Sequence, residues 1–246
     1  MQDKAFLPLT ENSYCQDIQM NLGIEGRTAL VVGASRGIGL EVARELKAEG
    51  CAVITASRTE GIDLMPEGAP EAFCATLKGH EPDIIVHVLG GSQGITGTLL
   101  PSSEWAKVWR LNLGIAHDIN AAFIPMMQRN KWGRIIHITS IAAYGSTGYC
   151  PYVSAKAALD GYVKGVSKEF SKDGVIISAV RPGIVYTAGR YYASLDSKQQ
   201  ETFFNQYLPI QRFGRAEEVA KVVTFLASEH AGYMAGSIVG IDGGAR

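Results

Sequence analysis

Tyr152 and Lys156 stand four positions apart in the run Tyr-Val-Ser-Ala-Lys. On a helix that spacing puts both side chains on one face, one turn apart. A phenol has a pKa of about 10, so alone it is a poor acid or base near neutrality. An adjacent ammonium favours the phenolate and brings the proton into useful range. Ser140 lies twelve positions before Tyr152, directly after an apolar run that ends at Thr139. A hydroxyl at a strand end can bond a carbonyl oxygen as negative charge develops on it. Taken alone, the Tyr–Lys pair is equally a solvated surface pair. The elements around it must decide.

Those elements alternate. Thr28–Val32 is a short apolar run, followed by Gly33-Ala34-Ser35-Arg36-Gly37-Ile38-Gly39. Helical spacing of Val42, Ala43 and Leu46 comes next and stops at Gly50. Cys51–Ala56 reads as a second strand, which makes a βαβ unit with a glycine turn at its first corner. Backbone N–H groups at the start of such a helix hold a pyrophosphate, and glycines let the chain approach it. An acid at the tip of the second strand would bond a free ribose 2′-hydroxyl. Here the tip is Ala56-Ser57-Arg58. Arg36 and Arg58, with Ser35 and Ser57, suit a 2′-phosphate instead, so NADP(H) is expected over NAD(H). The alternative for both arginines is solvated surface charge.

Further strands are expected at 83–89, 133–139, 175–180 and 237–241, with helices at 103–129, 152–173 and 217–228. Short apolar strands alternating with helices imply a doubly wound, Rossmann-type α/β fold with a parallel sheet covered on both faces. No linker or repeat divides the chain. One catalytic domain is expected from 27 to 246, with 1–26 as a polar N-terminal extension. The 246 residues carry a formal net charge of -1, which gives no footprint for nucleic acid or for an anionic membrane surface. No apolar run reaches transmembrane length, and the first residues lack the layout of a signal peptide. The cytoplasm is the simplest compartment. Cys15, Cys51, Cys74 and Cys150 are too scattered for a disulfide framework and read as packed thiols. The five histidines show no metal-ligand spacing, so no metal is expected.

Taken together these motifs resemble the short-chain dehydrogenase/reductases, in their single-domain, 3-oxoacyl-carrier-protein-reductase-like form. The resemblance runs from about Arg27 to the C-terminus. It places the glycine motif on Gly33, Gly37 and Gly39, and the catalytic serine, tyrosine and lysine on Ser140, Tyr152 and Lys156. It places the helix asparagine that holds a water in the proton relay on Asn112. Cofactor contacts are implied at Ile38, Asp63, Leu64, Leu89, Gly90 and Gly91, and at Pro182, Gly183, Val185 and Thr187. It also implies interconversion of a ketone and a secondary alcohol, on a small substrate, free or thioester-linked. A homotetramer or homodimer is implied, built on the helices near Asn112 and Tyr152. A sugar or secondary-metabolite carbonyl is the other substrate class. A non-catalytic nucleotide sensor should lack the tyrosine or the lysine, and a nucleotide-sugar epimerase needs a longer chain.

Three departures stand out. His87-Val88-Leu89-Gly90 replaces the family's Asn-Asn-Ala-Gly, and His87 reads as a packed, hydrogen-bonded core residue. Asp83 follows Ser57 by only 26 positions, so Gly61–Leu64 is expected as the third strand with the helix before it lost. The N-terminal extension has no counterpart in the shortest members. Residues 186–213 are expected to cover the site, with Tyr186, Arg190, Tyr191, Tyr192, Phe203, Phe204 and Tyr207 facing either substrate or a second subunit.

Overall fold

A computed structural model describes residues 20–145, 148–187 and 194–245. Its strands are Thr28–Val32 (β1), Ala52–Ala56 (β2), Ile84–His87 (β3), Gly133–Ile138 (β4), Val175–Pro182 (β5) and Ile238–Ile241 (β6). All neighbouring strands pair in parallel, in the order β2-β1-β3-β4-β5-β6. Every residue of β3, β4 and β5 is buried, as expected of central strands covered on both faces. Side chains alternate between two cores. Ala29, Val31, Val86 and Ile136 pack with Val42 and Leu46 of α1 (Gly37–Ala48) and Val219 and Val223 of α7 (Ala216–Leu226). Leu30, Val32, Ile85 and Ile135 pack with Ile119, Phe123 and Met127 of α4 (Ile115–Asn130) and Val163 of α5 (Cys150–Phe170).

The chain visits β2 on one side of β1 and returns to β3 on the other. The C-terminal ends of β1 and β3 therefore flank the point where strand order reverses, the usual ligand crevice of such sheets. No helix of the described residues is long and apolar enough to cross a membrane.

Several expectations need correction. No strand forms at Gly61–Leu64, so β2 is an edge strand among the described residues. Only a short 3-10 turn, Arg58–Glu60, follows β2, and the helix α2 (Ala69–Thr76) comes later. The helix expected over 103–129 does form without a break, but with a π-helical turn at Arg110–Gly114 between its two α segments, α3 (Ser102–Trp109) and α4. A further helix, α6 (Ser197–Tyr207), opens the second half of the expected cover. Residues 21–26, read as part of the extension, are packed on the domain. Ile24 is buried in the core and its carbonyl accepts the Cys51 thiol at 3.3 Å. Burial raises the thiols of Cys51 and Cys74 to about 11 and about 12, whereas Cys150 is exposed at the start of α5 rather than packed. Residues 1–19, with Cys15, lie outside the described residues.

Candidate active site

A cleft of about 870 Å³ opens at the C-terminal ends of β1, β2 and β3. It is lined by Gly33, Ser35, Arg36, Gly37, Ile38, Ser57, Arg58, Asp63, Leu64, Leu89, Gly90 and Thr187. Twelve residues expected to touch a cofactor thus share one wall system. Gly33 has φ +96° and Gly37 φ +57°, a region that L side chains rarely enter. A Cβ on Gly33 would also lie 3.1 Å from the Leu89 backbone nitrogen. Gly39 does not line the cleft. It packs inside α1, where a Cβ would fall 2.1 Å from the Gly33 carbonyl oxygen, so it sets how tightly the helix seats on the turn. Gly91, Pro182, Gly183 and Val185 also stand off the cleft wall.

Lys156 is buried on α5, and its Nζ donates to the Ile138 carbonyl at the end of β4, 2.8 Å away. Burial lowers its pKa to about 8, against the opposing pull of Asp160. Asn112 is buried in the π turn. Its Nδ2 donates to the Val108 carbonyl at 2.8 Å, the acceptor an unbroken α-helix gives to the main-chain N–H of residue 112. The widened turn and the asparagine therefore belong together, as π turns at functional sites often do. The same amide donates to the Gly91 carbonyl at 2.9 Å and accepts from the Gly91 N–H at 3.1 Å. Gly90 sits between the two groups: a Cβ there would be 2.8 Å from Asn112 Oδ1 and 2.9 Å from Lys156 Nζ.

Tyr152 stands one turn before Lys156, whose Nζ is 5.8 Å from the phenol ring centroid. Ser140 is extended and caps a 3-10 turn, Ile141–Tyr144, its Oγ accepting from the Ala142 N–H at 3.1 Å. The structure thus brings Asn112, Lys156 and Gly90 together, with Tyr152 above Lys156 and Ser140 two residues past the carbonyl that Lys156 holds.

Sequence reasoning missed several parts of the cleft. Thr59, Ile62, Met65, Val88, Gln93, Leu111 and Ile115 also line it. Glu60 turns back beside the strand tip, taking the Ser57 hydroxyl at 2.5 Å and the Thr55 hydroxyl as well. A carboxylate therefore does stand near that tip, three positions past Ser57. Where the third strand was expected, the chain is held by Arg110 of the π turn. Its guanidinium donates to the carbonyls of Leu64, Met65 and Pro66 at 3.5, 3.3 and 3.3 Å, and pairs with Asp118. One side chain so occupies the Leu64 carbonyl, the last of the expected strand, and the two that follow it.

His87 is a core residue, as read from sequence. Its Nε2 lies 2.8 Å from Asn120 Oδ1, and its ring stacks on His137 with centroids 4.7 Å apart. Burial lowers its pKa to about 4. Asn120 also donates to the Tyr162 hydroxyl at 3.1 Å, linking β3 to α4 and α5. On the cover, Phe203 and Phe204 of α6 pack on Phe213 at 5.9 and 4.9 Å, and Tyr186 is half exposed. Arg190, Tyr191 and Tyr192 lie outside the described residues.

The chain is similar to known proteins over most of its length. A family model described as short chain dehydrogenase matches residues 27–68, and one described as Enoyl-(Acyl carrier protein) reductase matches residues 61–246. The chain is 33% identical to the 3-oxoacyl-[acyl-carrier-protein] reductase FabG of Pseudomonas aeruginosa, over 91% of this chain and 98% of that one. It is 32% identical to the short-chain reductase protein NovJ of Streptomyces niveus, over 88% and 92%. L-Sorbose reductase from Gluconobacter frateurii, solved with NADPH and L-sorbose, superposes with a TM-score of 0.82 at 26% identity, over 92% of this chain and 98% of that one. The chain belongs to the short-chain dehydrogenase/reductase family and is an oxidoreductase that interconverts ketone and secondary alcohol.

Proposed function

We propose that this enzyme uses NADP(H), with Tyr152 as acid and base, Lys156 as its electrostatic partner, Ser140 as the carbonyl's hydrogen-bond donor and Asn112 in the proton relay. The convergence of Asn112 and Lys156 on Gly90, at the inner end of the cleft, carries this reading. The cleft fits a dinucleotide. Gly33 and Gly37 bring backbone to its floor, and Arg36 and Arg58 stand exposed on its outer wall. A nicotinamide cofactor held there, along Gly33, Gly37 and Gly90, would supply the hydride exchanged with the carbonyl carbon. Tyr152 delivers the matching proton to the carbonyl oxygen. The Lys156 ammonium stabilises the phenolate left behind, and the Ile138 carbonyl keeps that ammonium in place. Ser140 donates to the oxygen as it gains charge.

Arg36 and Arg58 favour a 2′-phosphate by charge, and they outweigh the single carboxylate of Glu60. The FabG relatives support an oxoacyl thioester as substrate, and the sorbose reductase supports a keto-sugar. A second copy of the chain has a place to dock. A groove of about 1090 Å³ on α3, α4 and α5 is lined by Leu99, Trp105, Trp109, Leu113 and Tyr162. Leu99 is fully exposed there. This supports a homodimer or homotetramer. The test is oxidation of NADPH and of NADH by purified protein across ketones, acyl thioesters and keto-sugars. NADPH-linked turnover in at least one class is expected; a clear preference for NADH would overturn the cofactor assignment.

A further inference from the structure

Asp160 follows Lys156 by one turn of α5, and it pairs with Arg181 on β5. Both side chains are shielded, at 15% and 10% exposure. The Arg181 guanidinium reaches onward to Tyr144. It donates to the Tyr144 hydroxyl, and its carbon lies 4.0 Å from the ring centroid. Tyr144 ends the 3-10 turn that Ser140 caps. Its ring is 69% exposed, so the core does not hold it; the arginine does. Arg181 is also the residue before Pro182-Gly183, and the Gly183 N–H donates to the Ile241 carbonyl at 2.9 Å.

We propose that Asp160, Arg181 and Tyr144 form a strut that sets Ser140 against the helix carrying Tyr152 and Lys156. The strut ties three separate elements: α5, β5 and the turn after β4. Two of them, α5 and the turn after β4, carry residues of the proposed site, so the inference rests on the roles proposed for Ser140, Tyr152 and Lys156. None of the three strut residues lines the cofactor cleft, so they are positioning residues. Charge alone does not explain the arrangement. A partly buried ion pair is weak evidence for stability, and its better attested use is to fix one geometry.

The test is steady-state ketone reduction by Tyr144→Ala, Asp160→Asn and the double variant, with NADPH affinity and thermal midpoint measured on each. Loosening the Ser140 turn should lower kcat about tenfold, since small misplacements of catalytic groups cost rate. NADPH affinity should stay within about twofold, as the cleft is not touched. The double variant should be no slower than the slower single one, because both substitutions cut the same strut. Asp160→Glu should recover part of the loss. If Asp160→Asn does not fold, Tyr144→Ala carries the test alone, since it leaves the ion pair intact. Wild-type kcat in Tyr144→Ala, a raised KM with unchanged kcat, or additive losses would overturn the strut. Ser140→Ala measured alongside separates two failures. Wild-type kcat in that variant overturns the Ser140 assignment and the strut with it. An inactive Ser140→Ala beside a fully active Tyr144→Ala overturns the strut alone.

Discussion

Gly90→Ala is the sharpest perturbation of the site, because one methyl reaches two proposed catalytic groups. The added carbon would stand 2.8 Å from Asn112 Oδ1 and 2.9 Å from Lys156 Nζ. Both distances are too short for carbon against nitrogen or oxygen. Asn112 has little freedom to retreat, since three hydrogen bonds fix its amide to Gly91 and Val108. Lys156 is the softer partner, but it moves only by lengthening its 2.8 Å bond to the Ile138 carbonyl. A hydrogen bond to a charged group contributes about 1.5 to 3 kcal/mol. If that interaction is weakened in the transition state, kcat falls between about tenfold and about a hundredfold, at about 1.4 kcal/mol per decade. The assay is NADPH-linked ketone reduction, with cofactor affinity from NADPH fluorescence and folding from the thermal midpoint. The expected outcome is a large loss of kcat in protein that still folds. A kcat within twofold of wild type in Gly90→Ala would refute the claim that these two groups must hold their places.

Two further outcomes follow from the same coordinates. His87 has a folded pKa of about 4 against about 6.5 unfolded, so the unfolded chain takes up a proton first as pH falls. Its contribution is present above pH 6.5 and is lost down to about pH 4, by about 3 kcal/mol in all. Urea unfolding at pH 7 and pH 4.5 should show a smaller difference for His87→Asn than for wild type; an equal difference would count against a neutral, buried His87. Arg110→Ala frees the carbonyls of Leu64, Met65 and Pro66 and leaves Asp118 without its partner. NADPH affinity should weaken several-fold with kcat at saturation retained; unchanged affinity would show that the segment holds its place without the arginine.

The sheet was legible because its central strands are buried on both faces. Runs such as Gly133–Ile138 and Val175–Val180 are mostly apolar, broken only by Arg134, His137 and Ser178, and their shortness fits a central parallel strand. The glycine turn was legible because strand, glycine spacing and helix occur in one order. Gly61–Leu64 misled because apolar Ile62 and Leu64 do alternate with polar Asp63. The end of that segment instead meets Arg110, 46 positions away from Leu64. No local pattern announces that contact. The π turn was equally hidden: Ser103–Arg129 is periodic enough for one helix, and nothing in its pattern marks Asn112 as the residue whose side chain takes the Val108 carbonyl. The start of α6 was visible in principle. Asp196 and Gln199 form a capping box, a signal readable as Asp-x-x-Gln. Glu60 was overlooked because the expected acid belongs at the strand tip itself, while this one reaches back from the following turn.

The central claim is that Tyr152 moves the proton while the rest of the site holds the cofactor. Tyr152→Phe removes one oxygen and leaves Lys156 on the Ile138 carbonyl. A single-turnover experiment, mixing NADPH-loaded variant with a ketone that the wild type reduces, tests it directly. The account predicts wild-type NADPH affinity and no detectable NADPH oxidation. Oxidation within about tenfold of the wild-type rate would contradict it, since loss of a general acid costs about a hundredfold or more.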